Sequence, residues 1–221
     1  MSASVNLPPC NNLAMTNLRS NPDKAYQSNF YLVQSTAYTG NTETIGGPCS
    51  VKCVSHGKNK NVFELQVTPG NGDYFYPYVH IPYGGVGTCV VPKNAPLGTL
   101  VLTGAMNGCS LQVNDSGSNL HFYHDANGVS LKGKLTPGNV VARVNYETYA
   151  GPGNLANNMT TKEFPAHVSY LVTVRGRTRW YVYSSTFLYG KKVKNSWFGG
   201  ISSAEVFEPV ITSVSRLLCT F

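Results

Sequence analysis

The sequence predicts a β-dominated α+β fold, a sandwich of β-sheets with flanking helices and loops. Three observations lead there. About ten runs alternate apolar and polar residues at a period of two, the mark of half-buried strands. Helix signals are few, since no long stretch repeats its apolar residues at three and four positions. The 221 residues are 42% hydrophobic, enough to bury a core in one domain spanning residues 1–221.

Taken in order, residues 1–28 read as an irregular N-terminal arm, because Pro8, Pro9 and Pro22 interrupt regular structure. Phe30, Tyr31, Leu32 and Val33 open the first strand, and a Gly- and Thr-rich loop covers residues 40–48. A short strand at 51–54 precedes a polar turn at 56–60 in which His56 is expected to be exposed and inert. Phe63, Leu65 and Val67 alternate with Glu64 and Gln66, a good half-buried strand. After a turn at 68–73 comes an aromatic β-like run at 74–81, with His80 read as a core residue. The glycine-rich loop at 82–87 lacks the lysine of a phosphate-binding loop, and no helix signal follows it. A strand at 99–103 leads through a tight connection, 104–108, to Cys109.

Further on, residues 140–149 alternate as a strand, and 151–162 form a polar loop long enough to shape a site. Two β-rich runs, 166–174 and 179–189, flank a turn at Gly176, with His167 read as structural. Residues 204–218 form a helix or a strand that Pro209 interrupts.

Charge and cysteines narrow the function. Only 12% of residues are charged, about half the usual share. The net charge is +7, but the cations are scattered. Their densest groups are Arg175, Arg177 and Arg179, which would share one face of a strand, and Lys191, Lys192 and Lys194. A solvated sheet face accounts for the arginines; the functional reading is an electropositive surface that steers an acidic protein partner, and nucleic acid is not expected. The six cysteines include no CxxC pair and the histidines do not fall at zinc spacing, so no zinc site is expected. Cys49 and Cys53 could form a local disulfide or both be reduced, and Cys109 is expected to be free. Residues 1–17 lack a basic start followed by an apolar run, so no standard signal peptide is expected, and no run reaches membrane-spanning length.

The stretch 109–125 carries the candidate chemistry. Leu111 and Val113 alternate with Gln112 and Asn114, Leu120 and Phe122 alternate with His121 and Tyr123, and a run of Asn, Asp, Ser and Gly lies between. That is a hairpin signal. A two-residue loop at Ser116-Gly117 pairs Val113 with Leu120, Leu111 with Phe122 and Cys109 with His124, which puts every apolar residue on one face. Directly opposed residues have Cβ atoms roughly 4.5–5.5 Å apart, so the thiol and the imidazole would meet. The alternative register pairs Cys109 with His121 and needs an odd loop centred on Asp115; His124 is preferred. A Cys beside a His is the minimal nucleophile and base. Backbone N–H groups of 104–109 are candidate oxyanion donors.

Met106-Asn107-Gly108-Cys109, followed by a hairpin and a histidine, resembles the catalytic hairpin of the cytotoxic necrotizing factor-type glutamine deamidases, which include Burkholderia lethal factor as a distant member. The family's motif is a hydrophobic residue, a small residue, Gly and Cys; Asn107 departs from the usual Ser or Pro. The Cys-to-His gap is similar to that of the necrotizing factors with His124 and to that of the lethal factor with His121. Thr103 stands where the lethal factor has a Thr that assists its His. The resemblance covers residues 80–130 or so. It implies a sandwich of two mixed sheets and a catalytic set of Cys109, His124 and Thr103. It also implies a monomeric toxin-like enzyme, secreted or injected, that deamidates a host protein's glutamine in the host cytosol, without cofactor. An amine in place of water would make it a transglutaminase. The alternative is a basic β-sandwich binding protein for nucleic acid or an acidic protein surface, without catalysis. A papain-like protease is disfavoured, since its Cys would begin a helix, and strand-like alternation follows Cys109.

Overall fold

A computed structural model of the chain describes residues 12–35, 46–56, 60–77, 85–151, 160, 166–189, 194–195, 201–202 and 210–221. Two helices come first, α1 (Asn12–Ser20) and α2 (Pro22–Ser28). They are followed by strands β1 (Phe30–Ser35), β2 (Gly47–Ser55), β3 (Val62–Pro69), β4 (Tyr74–Tyr76), β5 (Val86–Pro92) and β6 (Leu100–Leu102). The candidate hairpin is β7 (Ser110–Asp115) and β8 (Asn119–Asp125). Then come β9 (Asn139–Val144), a short helix α3 (Tyr146–Ala150), β10 (Ala166–Arg175), β11 (Trp180–Tyr189), β12 (Lys194–Asn195), β13 (Ile201–Ser202) and β14 (Val210–Thr220).

The β-dominated α+β class is as the sequence predicts. Eight strands form one sheet in the order β1-β3-β2-β4-β6-β10-β11-β14, and four form another in the order β5-β8-β7-β9; β12 and β13 make a separate two-stranded ribbon. The large sheet is mixed, because β1 runs parallel to β3 and β4 parallel to β6. The small sheet departs from expectation: all its pairings are antiparallel.

Side-chain alternation explains the layering. Leu100, Leu102, Val172 and Val174 point to one face of the large sheet, where α1 and α2 supply Met15, Leu18 and Tyr26. Val101, Leu171, Trp180 and Val182 point to the other face and meet Val91, Leu111, Val113, Leu120 and Phe122 of the small sheet. β6, β10 and β11 thus bury apolar residues on both faces, although β10 and β11 also bury polar residues such as Ser169, Ser184 and Thr186. Phe122 sits where the sheets meet, its ring edge-on to Trp180 at 6.1 Å and 6.2 Å from Phe221.

Several expectations are corrected. Residues 12–28 are not an irregular arm. Pro22 occupies the first turn of α2, where its missing N–H costs nothing, and Asn21 Oδ1 accepts from the Lys24 N–H as an N-cap. The predicted strand at 140–149 ends at Val144, and Asn145 opens α3. β5 was not expected beyond the glycine-rich loop. Arg175 ends β10, but Arg177 and Arg179 lie in the following turn rather than on a strand face. The terminal run resolves as strand from Val210. The readings of residues 1–11, 40–45 of the loop 40–48, 57–59, 78–84 with His80, all of the loop 151–162 but 151 and 160, Lys191, Lys192 and Pro209 fall outside the described residues.

Truncating Phe122 to Ala should cost about 3–5 kcal/mol, the range for a fully buried aromatic, because it opens a cavity between the sheets. Urea unfolding checks this; a loss under about 1 kcal/mol would mean that the sheets do not pack at this point.

Candidate active site

The hairpin forms, but in a register two residues away from the predicted one. Val113 opposes Phe122, Leu111 opposes His124 and Ser110 opposes Asp125. The turn centres on Gly117-Ser118: the Ser116 N–H donates to the Asn119 carbonyl at 3.0 Å, and Gly117 has φ +93°. Asp115 Oδ1 also accepts from the Gly117 N–H at 2.8 Å, which holds glycine at the first central position rather than the second. An even displacement preserves the faces. Leu111, Val113, Leu120, Phe122 and His124 therefore still share the buried face.

Cys109 precedes the first ladder residue and packs with Met106, Leu111 and Tyr149 in the core between the sheets. It is not directly opposite His124. With the ladder continued by one step, the two are diagonal neighbours on one face, a relation that spans roughly 7–8 Å between backbones. His121 lies on the opposite face, bonded to Ser116 Oγ at 2.9 Å and stacked on Tyr123. Thr103 is buried, and its hydroxyl accepts from the Leu171 N–H at 3.0 Å and donates to the Leu171 carbonyl at 3.4 Å. It ties β6 to β10, and no hydrogen bond joins it to either histidine among the described residues.

Burial sets the protonation of the two groups. The Cys109 thiol is pushed up from its usual value by desolvation, an Asn107 N–H aimed at it pulls the other way, and Asp125 raises it further. Burial pulls the His124 imidazole down to about 4, against a smaller opposing effect of Asp125. The resting pair is a neutral thiol and a neutral imidazole. His124 Nε2 has no hydrogen-bond partner among the described residues. Cys109 is free, as expected, and so are Cys49, Cys53, Cys89 and Cys219.

The connection that carries Cys109 is held from α3. The Tyr149 hydroxyl accepts from the Gly108 N–H at 2.9 Å and donates to the Cys109 carbonyl at 3.1 Å. Gly108 has φ +87°, a conformation open to glycine and strained for other residues. With the Gly108 N–H taken by Tyr149 and the Met106 N–H by the Ser169 carbonyl, the Cys109 N–H stays a candidate oxyanion donor beside those of Gly104 and Ala105.

Cys109 lines a cleft of about 410 Å³ at the end of the small sheet, with Ser110, Lys132, Arg143, Tyr146 and Glu147. His124 is 2% exposed and does not contribute to the wall. One rim is the loop 126–138, strapped over the sheet's outer face. Asp125 accepts from the Leu131 N–H at 2.9 Å and the Asn127 N–H at 3.3 Å. The Asn114 amide donates to Thr136 Oγ1 and the Pro137 carbonyl. Sequence reasoning missed Tyr149, which it placed on a strand, and Lys132 and Arg143, which belong to no charge run. Asn145, an N-cap residue followed by Glu147, was the available sign of α3.

Among the described residues no cluster of His, Cys, Asp or Glu could hold a metal ion, and no helix is long and apolar enough to cross a membrane.

The depressed imidazole predicts a pH dependence. A His that is neutral when folded and titrates near 6.5 when unfolded gives its full contribution above pH 6.5, and stability falls as pH drops from 6.5 towards 4. The loss through His124 should be on the order of 3 kcal/mol, and His167, also lowered by burial, acts in the same direction. Urea midpoints at pH 7.5, 5.5 and 4.5 should show this slope in the native chain and a shallower one in His124→Leu; equal slopes would place His124 in a solvated environment.

No protein-family model matches the chain, and no curated protein matches it.

Proposed function

We propose that the protein is a cysteine-dependent hydrolase acting on glutamine side-chain amides of a protein substrate, with Cys109 as nucleophile and His124 as general base and acid. The supporting observation is a free, cleft-lining cysteine just ahead of β7 with a buried neutral imidazole, its Nε2 unpartnered among the described residues, on the neighbouring strand β8.

The thiol proton passes to His124 Nε2 as Cys109 Sγ attacks the carboxamide carbon. The oxygen takes up the negative charge, facing the Cys109 N–H. The carbon–nitrogen bond breaks, nitrogen takes the proton from His124, and ammonia leaves a thioester. Water then attacks the thioester carbon and gives a proton to His124; the carbon–sulfur bond breaks, the thiolate recovers the proton, and glutamate remains. Thr103 takes no part, since its hydroxyl is committed to Leu171. The diagonal relation of Cys109 and His124 requires the imidazole to approach the thiol when substrate fills the cleft. The reading carries with it a host protein as substrate and an enzyme delivered to the host cytosol.

A non-catalytic reading has one observation in its favour. Arg19, Arg175 and Arg177 surround a second cleft, of about 390 Å³, which offers cations to an acidic surface. A steep salt dependence of binding, unaffected by Cys109→Ser, distinguishes it.

Intact-mass analysis of host-cell proteins exposed to the enzyme should show a gain of about one dalton per glutamine converted, the difference between NH₂ and OH at the thioester step. Cys109→Ser should keep the fold and lose activity by more than about 1,000-fold. Because burial raises the thiol, kcat/KM and alkylation by iodoacetamide should both increase with pH through the alkaline range. Normal turnover by the serine variant contradicts the proposal.

A further inference from the structure

Ser110, a residue of the Cys109 cleft wall, carries a buried hydroxyl with no part in the proposed hydrolysis. Ser110 is 1% exposed, and its hydroxyl has no hydrogen-bond partner among the described residues. A buried hydroxyl left without a partner is costly, and a ligand in the cleft would relieve that cost. Ser110 is adjacent to Cys109 in sequence and lines the same cleft.

Two cations share that wall: Lys132 from the strapped loop and Arg143 from β9. Neither is paired with a carboxylate among the described residues, where the ion pairs are His56–Glu64 and Lys93–Asp115. The third charge on the wall is Glu147. Asp125, close by, is turned to the amides of Asn127 and Leu131. The lining residues by themselves carry a single excess positive charge, while the Asp125 carboxylate sits across the ladder from Ser110, outside the lining. One carboxylate balances it, whereas a phosphate dianion would overcompensate beside Glu147.

We infer that this cleft holds an acidic side chain of the substrate protein, within one or two residues of the glutamine that Cys109 attacks. Its carboxylate accepts from the Arg143 guanidinium, the Lys132 ammonium and the Ser110 hydroxyl, charge-assisted bonds of the stronger kind. The short spacing follows from Ser110 being next to Cys109, since one extended residue spans roughly 3.3–3.6 Å. The inference rests on Cys109 as the nucleophile, and it names the substrate class as acidic glutamine-containing segments.

The test uses the full chain carrying Cys109→Ser, which removes the chemistry, and fluorescein-labelled peptides followed by anisotropy. The probes are a Glu-Gln peptide, its Ala-Gln analogue and its phosphoserine-Gln analogue. The Glu-Gln peptide should bind about tenfold more tightly than Ala-Gln, in keeping with a charge-assisted contact, and more tightly than phosphoserine-Gln. Adding Ser110→Ala or Arg143→Ala should weaken its binding several-fold. Equal binding of the Glu and Ala peptides, tighter binding of the phosphopeptide, or unchanged binding in either variant would overturn the inference. Turnover of the same peptides by the native enzyme separates the two readings. Turnover without preference for the acidic neighbour overturns this inference and leaves the hydrolase standing. Acid-selective binding without any turnover retains the cleft's ligand and removes the hydrolase.

Discussion

Burial of the small sheet's inner face against β6, β10, β11 and the chain end is the constraint on which everything else depends. Val113, Leu120 and Phe122 must point inward to meet Leu171, Trp180 and Val182. A strand alternates its faces with a period of two, so the same requirement turns His124 and Cys109 inward. The hairpin could slip by two residues from its expected pairing without disturbing this, but a slip of one would expose the entire apolar set. The candidate nucleophile and base therefore occupy a low-dielectric layer because of packing. Their neutral resting states follow from that burial.

The same layer has a chemical consequence. Desolvation raises a thiol and lowers an imidazole, so a preformed thiolate–imidazolium pair is disfavoured at rest. Under the proposed hydrolysis, charge separation waits for a substrate whose amide oxygen and flanking groups supply the polarity that the layer lacks. Tyr149 contributes by fixing the Gly108–Cys109 backbone from both sides. The loop 126–138 contributes by carrying Lys132 to the opening while Asp125 and Asn114 hold it down. A rigid thiol-bearing connection and a charged rim are separate devices, built from separate elements, that converge on one cleft.

Much of this was legible in the sequence. The alternation in Phe63-Glu64-Leu65-Gln66-Val67 and in Leu111 to Val113 identifies strands directly, because packing against a second layer demands it. The shared face of Cys109 and His124 was legible for the same reason. The register was not, because Ser116-Gly117 and Gly117-Ser118 both offer a glycine turn. What separates them is the Asp115 carboxylate reaching the Gly117 N–H, a contact visible only in three dimensions. Pro22 misled the reading of the N-terminal segment, since proline breaks a helix interior but suits its first turn. The alternation after Val140 concealed a change from strand to helix at Asn145. Lys132, Arg143 and Ser110 were beyond reach altogether, since only the folding of the loop over the sheet brings them together.

The account's central claim is that Cys109 attacks a glutamine carboxamide with His124 as its proton partner. A glutamine analogue with a diazoketone in place of the carboxamide places an electrophile where that carbon would be, and peptide mapping by tandem mass spectrometry locates the adduct. The account predicts labelling at Cys109, ahead of the other thiols, and a marked slowing in His124→Gln. An adduct confined to other residues, or labelling of Cys109 at the same rate without the imidazole, would contradict it.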